Sequence, residues 1–240
     1  NFNSMADSIH DQKMALAEKS AENERLLLNI LPASVAERLQ AGERVADDLQ
    51  QVSVVFIHML GFTELSGHWT AAESAAVLEQ LIDMLDEAAE RYAVERVKTV
   101  GETYIAACGL TTARLDHASQ TVDFAIDALG ISRRLDQEHA QQLALQIGIH
   151  SGPVVSGVVG TTRFNYELWG ETVEIAKRLH TQAKPNGLLV TETVYQRIDG
   201  QVDFSREQSV TSFTSEIPVY EYTGFHADDT SDADDEGAEA

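Results

Sequence analysis

The sequence is poor in cysteine and in positive charge, and each shortage excludes a class of protein. A single cysteine, Cys108, among 240 residues excludes an internal disulfide and fits a reducing compartment. The 17 Lys and Arg residues stand against 39 Asp and Glu residues, which gives a formal net charge of -22. Such a chain repels nucleic acid and anionic lipid on average, so we expect no nucleic-acid partner.

The sequence also lacks long apolar runs. No stretch approaches the ~18 apolar residues that a membrane-spanning helix needs, and no signal peptide is visible. A hydrophobic content of 43% is nevertheless enough for one substantial core with an appendage. The last thirteen residues carry seven acidic side chains and no Lys or Arg, which predicts an acidic disordered tail over residues 226–240.

A heptad-like stripe occupies the first thirty residues. Mostly apolar residues recur there at alternating spacings of three and four, which predicts a long N-terminal helix. Two interpretations stay open: a parallel dimer, in which Asn23 would fix the register, or a helix that packs on its own domain.

The middle of the chain alternates between strand-like and helix-like patterns in a regular order. Two long amphipathic helices are predicted over residues 71–93 and 115–137. Strands are predicted over residues 51–58, 94–100, 103–110 and 143–152. The order β-α-β-β-α-β predicts an α+β fold, a ferredoxin-like unit of antiparallel sheet with helices on one face. A short strand-like piece over 154–160, a helix over 172–183, a strand over 187–191 and a final hairpin should extend the sheet.

Four stretches in this region resemble the class III nucleotide cyclases, and they assign residues 51–225 to a cyclase homology domain. They are FIHMLGFTELS, VKTVGETYIAACGL, IGIHSGPVVSGVVG and NYELWGETVEIAKRL. The resemblance implies synthesis of cyclic AMP or cyclic GMP from a nucleoside triphosphate in a head-to-tail homodimer. A heterodimer with an active cyclase is a further possibility.

The N-terminal segment carries a second resemblance. FNSMADSI is similar to the end of a HAMP linker, assigned to residues 1–19, and ERLLLNILPASVAERLQAGERVAD resembles the coupling helix of receptor-type cyclases, assigned to residues 20–50. This resemblance implies upstream transmembrane and HAMP segments, and therefore the cytoplasmic domain of a membrane signalling protein.

The resemblance assigns the metal positions to His58 and Glu102, where the family has two aspartates that bridge a pair of Mg or Mn ions. Glu102 keeps the charge but shifts it by one methylene. His58 offers one lone pair to a metal, so it cannot bridge two ions, and imidazole suits magnesium poorly. A histidine that only fills space at a strand end is the alternative interpretation of His58.

The resemblance also assigns the nucleotide-binding positions. Lys98 and Glu167 match the base-recognition pair and favour ATP. Gly61, Phe62 and Thr63 form a turn whose N–H groups would face the phosphates.

Two further positions on one helix concern catalysis. Arg178 matches the arginine that neutralises charge on the reacting phosphate. Glu174 stands where the family has an asparagine, and an anion there opposes catalysis. The lysine expected in the last hairpin is missing, since no Lys or Arg follows Arg206.

Two hypotheses follow from these matches and departures. The first is a nucleotide cyclase of low activity that depends on manganese. The second is a pseudocyclase, in which the same dimeric domain is kept as a regulatory or dimerisation partner.

Overall fold

The computed structural model describes thirteen helices and strands within the part of the chain that it covers. That part comprises residues 12–14, 16, 18–20, 22, 27, 31–61, 70–139, 143–160, 164–198, 202–212 and 215–225. The helices are α1 (Ala33–Gln40), α2 (Ala71–Arg91), α3 (His117–His139), α4 (Glu171–Gln182) and α5 (Glu192–Tyr195). The strands are β1 (Ala46–Leu60), β2 (Glu95–Val100), β3 (Thr103–Cys108), β4 (Ala144–Val159), β5 (Asn165–Trp169), β6 (Gly187–Thr191), β7 (Val202–Thr211) and β8 (Glu216–Phe225).

The chain divides into two compact units. The smaller contains Asn1–Asp47 and Val155–Leu168, and the larger contains Asp48–Val154 and Trp169–Ala240. In the smaller unit, Arg38 at the end of α1 donates to Asp47 at 2.7 Å and to Glu43 at 3.3 Å. These bonds join the end of α1 to the turn that follows it and to the start of β1. Because β1 begins at Ala46, residues 46–50 are strand and do not belong to the expected coupling helix. Most of the expected N-terminal heptad stripe lies outside the described residues.

The larger unit is built on a mixed sheet with the strand order β2-β3-β1-β4-β6-β8-β7, and β5 pairs with β4 off this path. β1 pairs with β3 in antiparallel fashion, whereas β4 and β6 are parallel. Within the described ranges, no helix is long and apolar enough to cross a membrane.

Helix α2 begins where its sequence predicts, at a capping box. The Thr70 hydroxyl accepts a hydrogen bond from the Glu73 N–H at 3.3 Å, and the Glu73 carboxylate accepts one from the Thr70 N–H at 2.8 Å. This reciprocal pair satisfies two N–H groups that a helix start leaves open. The hydrogen bonds from Thr70 also hold the pKa of Glu73 below its ordinary value.

Both faces of the sheet are covered by helices, which corrects the expectation of helices on one face. Side chains of β1 alternate: Val55, Ile57 and Met59 belong to the main core with residues of α2 and α3. Phe56 and His58 point to the opposite face, where the Phe56 ring stacks on His180 of α4. The ferredoxin-like expectation therefore describes α2 and α3 but omits α4, which packs across the second face.

Strand β4 is one continuous strand of 16 residues, although Gly152 and Pro153 predicted two pieces. Pro153 is exposed, and its carbonyl accepts a hydrogen bond from the Thr172 hydroxyl at 2.7 Å. A Cβ on Gly152 would lie 2.6 Å from that same hydroxyl. The absence of a side chain at Gly152 therefore lets α4 approach the strand closely, and the glycine does not mark a break in the strand.

We expect Gly148→Ala to reveal how closely α4 packs on β4. An added Cβ would lie 2.6 Å from Leu179 Cβ and 2.7 Å from the Ala176 carbonyl, and it would also collide with the backbone nitrogen of His180. Because the nearest obstacles include helix backbone, the variant should lose about 1–3 kcal/mol of unfolding free energy, measured by urea denaturation.

Gly130→Ala is the matched control, because its Cβ would meet one atom of a flexible Arg134 side chain at 3.7 Å. That helix substitution should be neutral or stabilising by up to ~1 kcal/mol. Equal stability of the Gly148 variant and the parent would contradict the packing described here.

Candidate active site

His58 lies at the end of β1, on the sheet face that α4 covers. It pairs with Thr103 of β3, and its Nδ1 lies 3.0 Å from the Thr103 hydroxyl oxygen. The side chain is half-buried. The pairing therefore fixes the ring at the end of β1, beside the β2–β3 turn.

Glu102 belongs to that turn, with Gly101 preceding it. Gly101 has φ of +58°, a conformation that glycine adopts without steric cost, and a glycine at the first position is typical of a two-residue hairpin turn. The Met59 N–H donates to the Glu102 carbonyl at 2.8 Å. The structure thus places the two predicted metal positions side by side, while their metal-binding role stays a prediction.

His180 is a third residue of this region, and the sequence reasoning missed it. Its ring stacks on Phe56 with centroids 5.6 Å apart and planes 8° from parallel. It also lies 5.9 Å from the His58 ring, centroid to centroid, at an interplanar angle of 49°. The residue is 8% exposed, and its Nδ1 is buried without a hydrogen bond of good geometry among the described residues, although the backbone of Lys177 interacts with the ring. Burial, followed by the neighbouring His58, lowers the pKa of His180 to about 4.

Lys98 lies on the same face of the sheet as His58. It pairs with Ile105 of β3, which in turn pairs with Phe56 of β1, so the three side chains form a row across three strands. A register shift between Arg96 and Lys98 brings the lysine into this row. Lys98 therefore lies on the side of the site away from α4.

Arg178 and Glu174 are both exposed on α4, one helical turn apart. Arg178 Nη1 donates to the Thr211 carbonyl of β7 at 2.6 Å. This bond holds the guanidinium against the backbone of β7. Glu174 shares the first turn of α4 with Glu171, a location that the helix dipole favours for an anion.

Of the remaining predicted residues, Glu167 and Gly61 lie among the described residues. Glu167 is half-buried on β5, in the smaller unit. Gly61 follows β1 directly with φ of +103°, a conformation that favours glycine. Phe62 and Thr63 lie outside the described residues.

The residues around His58 do not fit a pair of magnesium ions. Magnesium requires near-octahedral oxygen coordination at ~2.0–2.1 Å, and a pair of ions needs carboxylates that bridge both. His58 offers a single nitrogen lone pair and cannot bridge two ions. Glu102 is then the one carboxylate at the two matched positions. No group of three or more His, Cys, Asp or Glu side chains in the described segments is arranged to hold a metal.

Comparisons with known proteins agree with this sheet and these motifs. The family model described as the adenylate and guanylate cyclase catalytic domain matches residues 45–219. An adenylate cyclase of Mycobacterium tuberculosis is 35% identical over 196 residues, which cover 80% of this chain and 44% of the relative. The receptor-type guanylate cyclase gcy-28 of Caenorhabditis elegans is 33% identical over 195 residues, which cover 80% of this chain and 15% of the relative.

A solved structure gives the same result for the fold. The guanylate cyclase domain of RhGC from Catenaria anguillulae, crystallised with GTP, superimposes with a TM-score of 0.70 at 26% identity, covering 75% of this chain and 100% of that domain. The fold and the sequence motifs therefore both identify an α+β domain of the nucleotide cyclase class. The chain belongs to the adenylate and guanylate cyclase catalytic domain family. It spans less than half the length of the curated relatives named here.

His150 is a buried histidine of the same domain that takes no part in this site. Its Nδ1 lies 2.7 Å from the Thr191 hydroxyl oxygen, and burial lowers its pKa to about 4. Because an unfolded histidine titrates near 6.5, the unfolded chain binds this proton more tightly than the folded domain. The stabilisation is present above pH 6.5 and is lost as the pH falls toward 4.

We expect His150→Asn to reduce the acid sensitivity of the domain. The amide can keep the bond to Thr191 but cannot be protonated. Between pH 7 and pH 4.5 the unfolding free energy of the parent should fall by about 2–3 kcal/mol more than that of the variant. Urea denaturation at both pH values measures the difference, and a variant whose relative stability is independent of pH would contradict it.

Proposed function

We propose that this chain is the cytoplasmic nucleotide-cyclase homology domain of a membrane signalling protein, in which magnesium-dependent synthesis of cyclic AMP from ATP is weak or absent. The observation that carries the proposal is the position of His58. It matches the first metal position of the family pattern, where bridging oxygen ligands are required, and it is hydrogen-bonded to Thr103 and adjacent to His180.

The family reaction needs activation of the ribose 3′-hydroxyl and stabilisation of charge at the α-phosphate, and a pair of divalent ions held by two carboxylates would supply that chemistry. With one carboxylate left at the two matched positions, electrostatic stabilisation falls to the side chains of the protein. Arg178 supports this role, because guanidinium is always charged and presents several N–H donors. Glu174 opposes it, since an exposed carboxylate one turn from Arg178 repels an approaching phosphate.

ATP is the candidate nucleotide on the strength of Lys98 and Glu167. Lys98 supplies only hydrogen-bond donors, and the Glu167 carboxylate supplies only acceptors. A donor for a ring nitrogen and an acceptor for an exocyclic amine together suit adenine. The positions belong to different units of the chain, so the pairing rests on the family pattern.

A second candidate function is a slow cyclase that uses manganese. Glu102 favours it, because its backbone lies directly beside His58 and its carboxylate keeps two oxygens and a full charge. Manganese accepts both imidazole and carboxylate ligands more readily than magnesium does.

The pseudocyclase alternative keeps the dimer and loses the chemistry. A homodimer is expected for the family, and a heterodimer with an active cyclase would let the partner supply intact metal ligands. This chain would then contribute Lys98 or Arg178 from its own side of a shared site, and its role would be regulatory.

We expect the purified chain to show no magnesium-dependent production of cyclic AMP above a blank without enzyme. The loss of one bridging ligand and of the hairpin lysine should each remove several kcal/mol of transition-state stabilisation. The measurement is cyclic AMP formed from ATP with magnesium, run in parallel with manganese. Robust turnover with magnesium alone would refute the proposal, whereas turnover with manganese alone would select the slow cyclase.

We expect the double variant His58→Asp with Glu102→Asp to bind manganese more tightly than the parent without reaching full activity. The two carboxylates restore oxygen ligands at adjacent positions, while Glu174 and the absent hairpin lysine remain uncorrected. Calorimetric titration with manganese measures the first effect. Glu174→Asn is a separate control for the effect of one carboxylate on α4, because it removes a charge without adding a ligand. Equal manganese affinity of double variant and parent would refute the shared site.

A further inference from the structure

We propose that His58 and His180 together form a binding site for a divalent cation of borderline softness, with Zn²⁺ as its representative. This site differs in chemistry from a magnesium site, and one of its two ligands, His180, belongs to a helix position that the family resemblance does not assign to metal binding. It concerns binding and does not depend on whether the chain turns over a nucleotide.

The distance between the two rings suits a shared cation. Their centroids lie 5.9 Å apart at an interplanar angle of 49°. With Zn–N bonds of ~2.0–2.1 Å, two imidazoles on one zinc ion hold their centroids about 5–6 Å apart. The packing of α4 against β1 therefore already brings the rings to the required separation.

The hydrogen bond of His58 prepares it for this role. Its Nδ1 lies 3.0 Å from the Thr103 hydroxyl oxygen. A ring that donates its Nδ1–H to this oxygen keeps its lone pair on Nε2, and metal-bound histidines in proteins are oriented by such a bond from the other ring nitrogen. Thr103 is thus a positioning residue for His58.

His180 supplies the independent observation that points to a ligand. It is 8% exposed, and its Nδ1 is buried without a hydrogen bond of good geometry in the described segments, although the backbone of Lys177 interacts with the ring. An unsatisfied buried nitrogen costs free energy, about 1–3 kcal/mol, so native structures rarely retain one without a reason. The stack on Phe56 fixes the ring plane, and a cation shared with His58 would give the ring a polar partner.

The donor set selects the cation. Imidazole nitrogen suits Zn²⁺, Cu²⁺ and Ni²⁺, whereas Mg²⁺ prefers oxygen and retains its water. Two histidines leave two positions of a tetrahedral zinc ion open, and solvent or an added ligand would fill them. The affinity should therefore be lower than that of a four-ligand structural zinc site.

The test is a titration of the full chain with ZnCl₂, followed by calorimetry and by competition with a chromophoric chelator. His180→Phe retains an aromatic ring to stack on Phe56 but has no lone pair, and His58→Gln removes the other imidazole. His150→Asn is the matched control, because each single variant then keeps seven of the eight histidines and differs only in which one is missing.

The parent and His150→Asn should bind one Zn²⁺ per chain with equal affinity, and excess MgCl₂ should not displace it. His180→Phe and His58→Gln should each weaken binding at least ~10-fold, and Thr103→Val should weaken it by a smaller factor through loss of orientation. If His180→Phe does not fold, His180→Gln and His58→Gln carry the same test. Absence of stoichiometric Zn²⁺ binding by the parent, or equal weakening by His150→Asn, would overturn the proposal.

Discussion

The antiparallel register between β1 and β3 is the constraint on which the candidate site depends. Pairing of Val55 with Ala106 and of Ile57 with Tyr104 places fully buried side chains against α2 and α3. The same register sends Phe56 and His58 to the other face. A slip of one residue would exchange the two sets, so burial of the apolar residues determines where His58 lies. The polar site is thus held in place by the hydrophobic core on the opposite side of the sheet.

The second determinant is the close approach of α4 to the sheet. Gly148 has no side chain, and the backbone of α4 occupies the space where a Cβ would stand. This contact positions two faces of one helix. Leu179 packs in a small apolar cluster with Leu189 and Val219, His180 reaches the Phe56 ring, and Arg178 lies outside and bonds to β7. A single glycine therefore influences both the buried histidine and the exposed arginine.

Much of the larger unit could be predicted from local pattern. The amphipathic stripes of α2 and α3 and the buried apolar run of β1 follow from the sequence pattern, and the Gly101-Glu102 turn follows from the preference for glycine in tight hairpins. Local pattern did not predict that β4 continues through Pro153, because the closeness of Thr172 is a long-range contact. It also did not predict that α4 covers a second face, since no local signal specifies which side of a sheet a helix joins.

The candidate site could likewise be predicted only in part. The adjacency of His58 and Glu102 could be predicted, because a hairpin brings its turn beside the end of the neighbouring strand. His180 carried a partial signal: its spacing of four from Ala176 and eight from Thr172 places it on the buried stripe of α4. That signal predicts that His180 is buried but does not predict which residues it contacts. Contact with Phe56 and His58 depends on how α4 crosses the sheet, which only the folded chain defines.

Because the chain carries a large negative charge, the metal ligands at and around His58 matter for the binding of any negatively charged substrate. Seven of the acidic residues lie in the tail, and without them a net charge of about -15 would still repel a polyphosphate. A nucleotide must therefore be attracted by local cations. Lys98 and Arg178 are two, and Arg178 is already engaged by the Thr211 carbonyl. In a magnesium site, each bound ion would add two positive charges at the sheet edge. Under the proposed function, an imidazole at His58 in place of a bridging carboxylate would therefore weaken metal binding and the attraction of a nucleotide together.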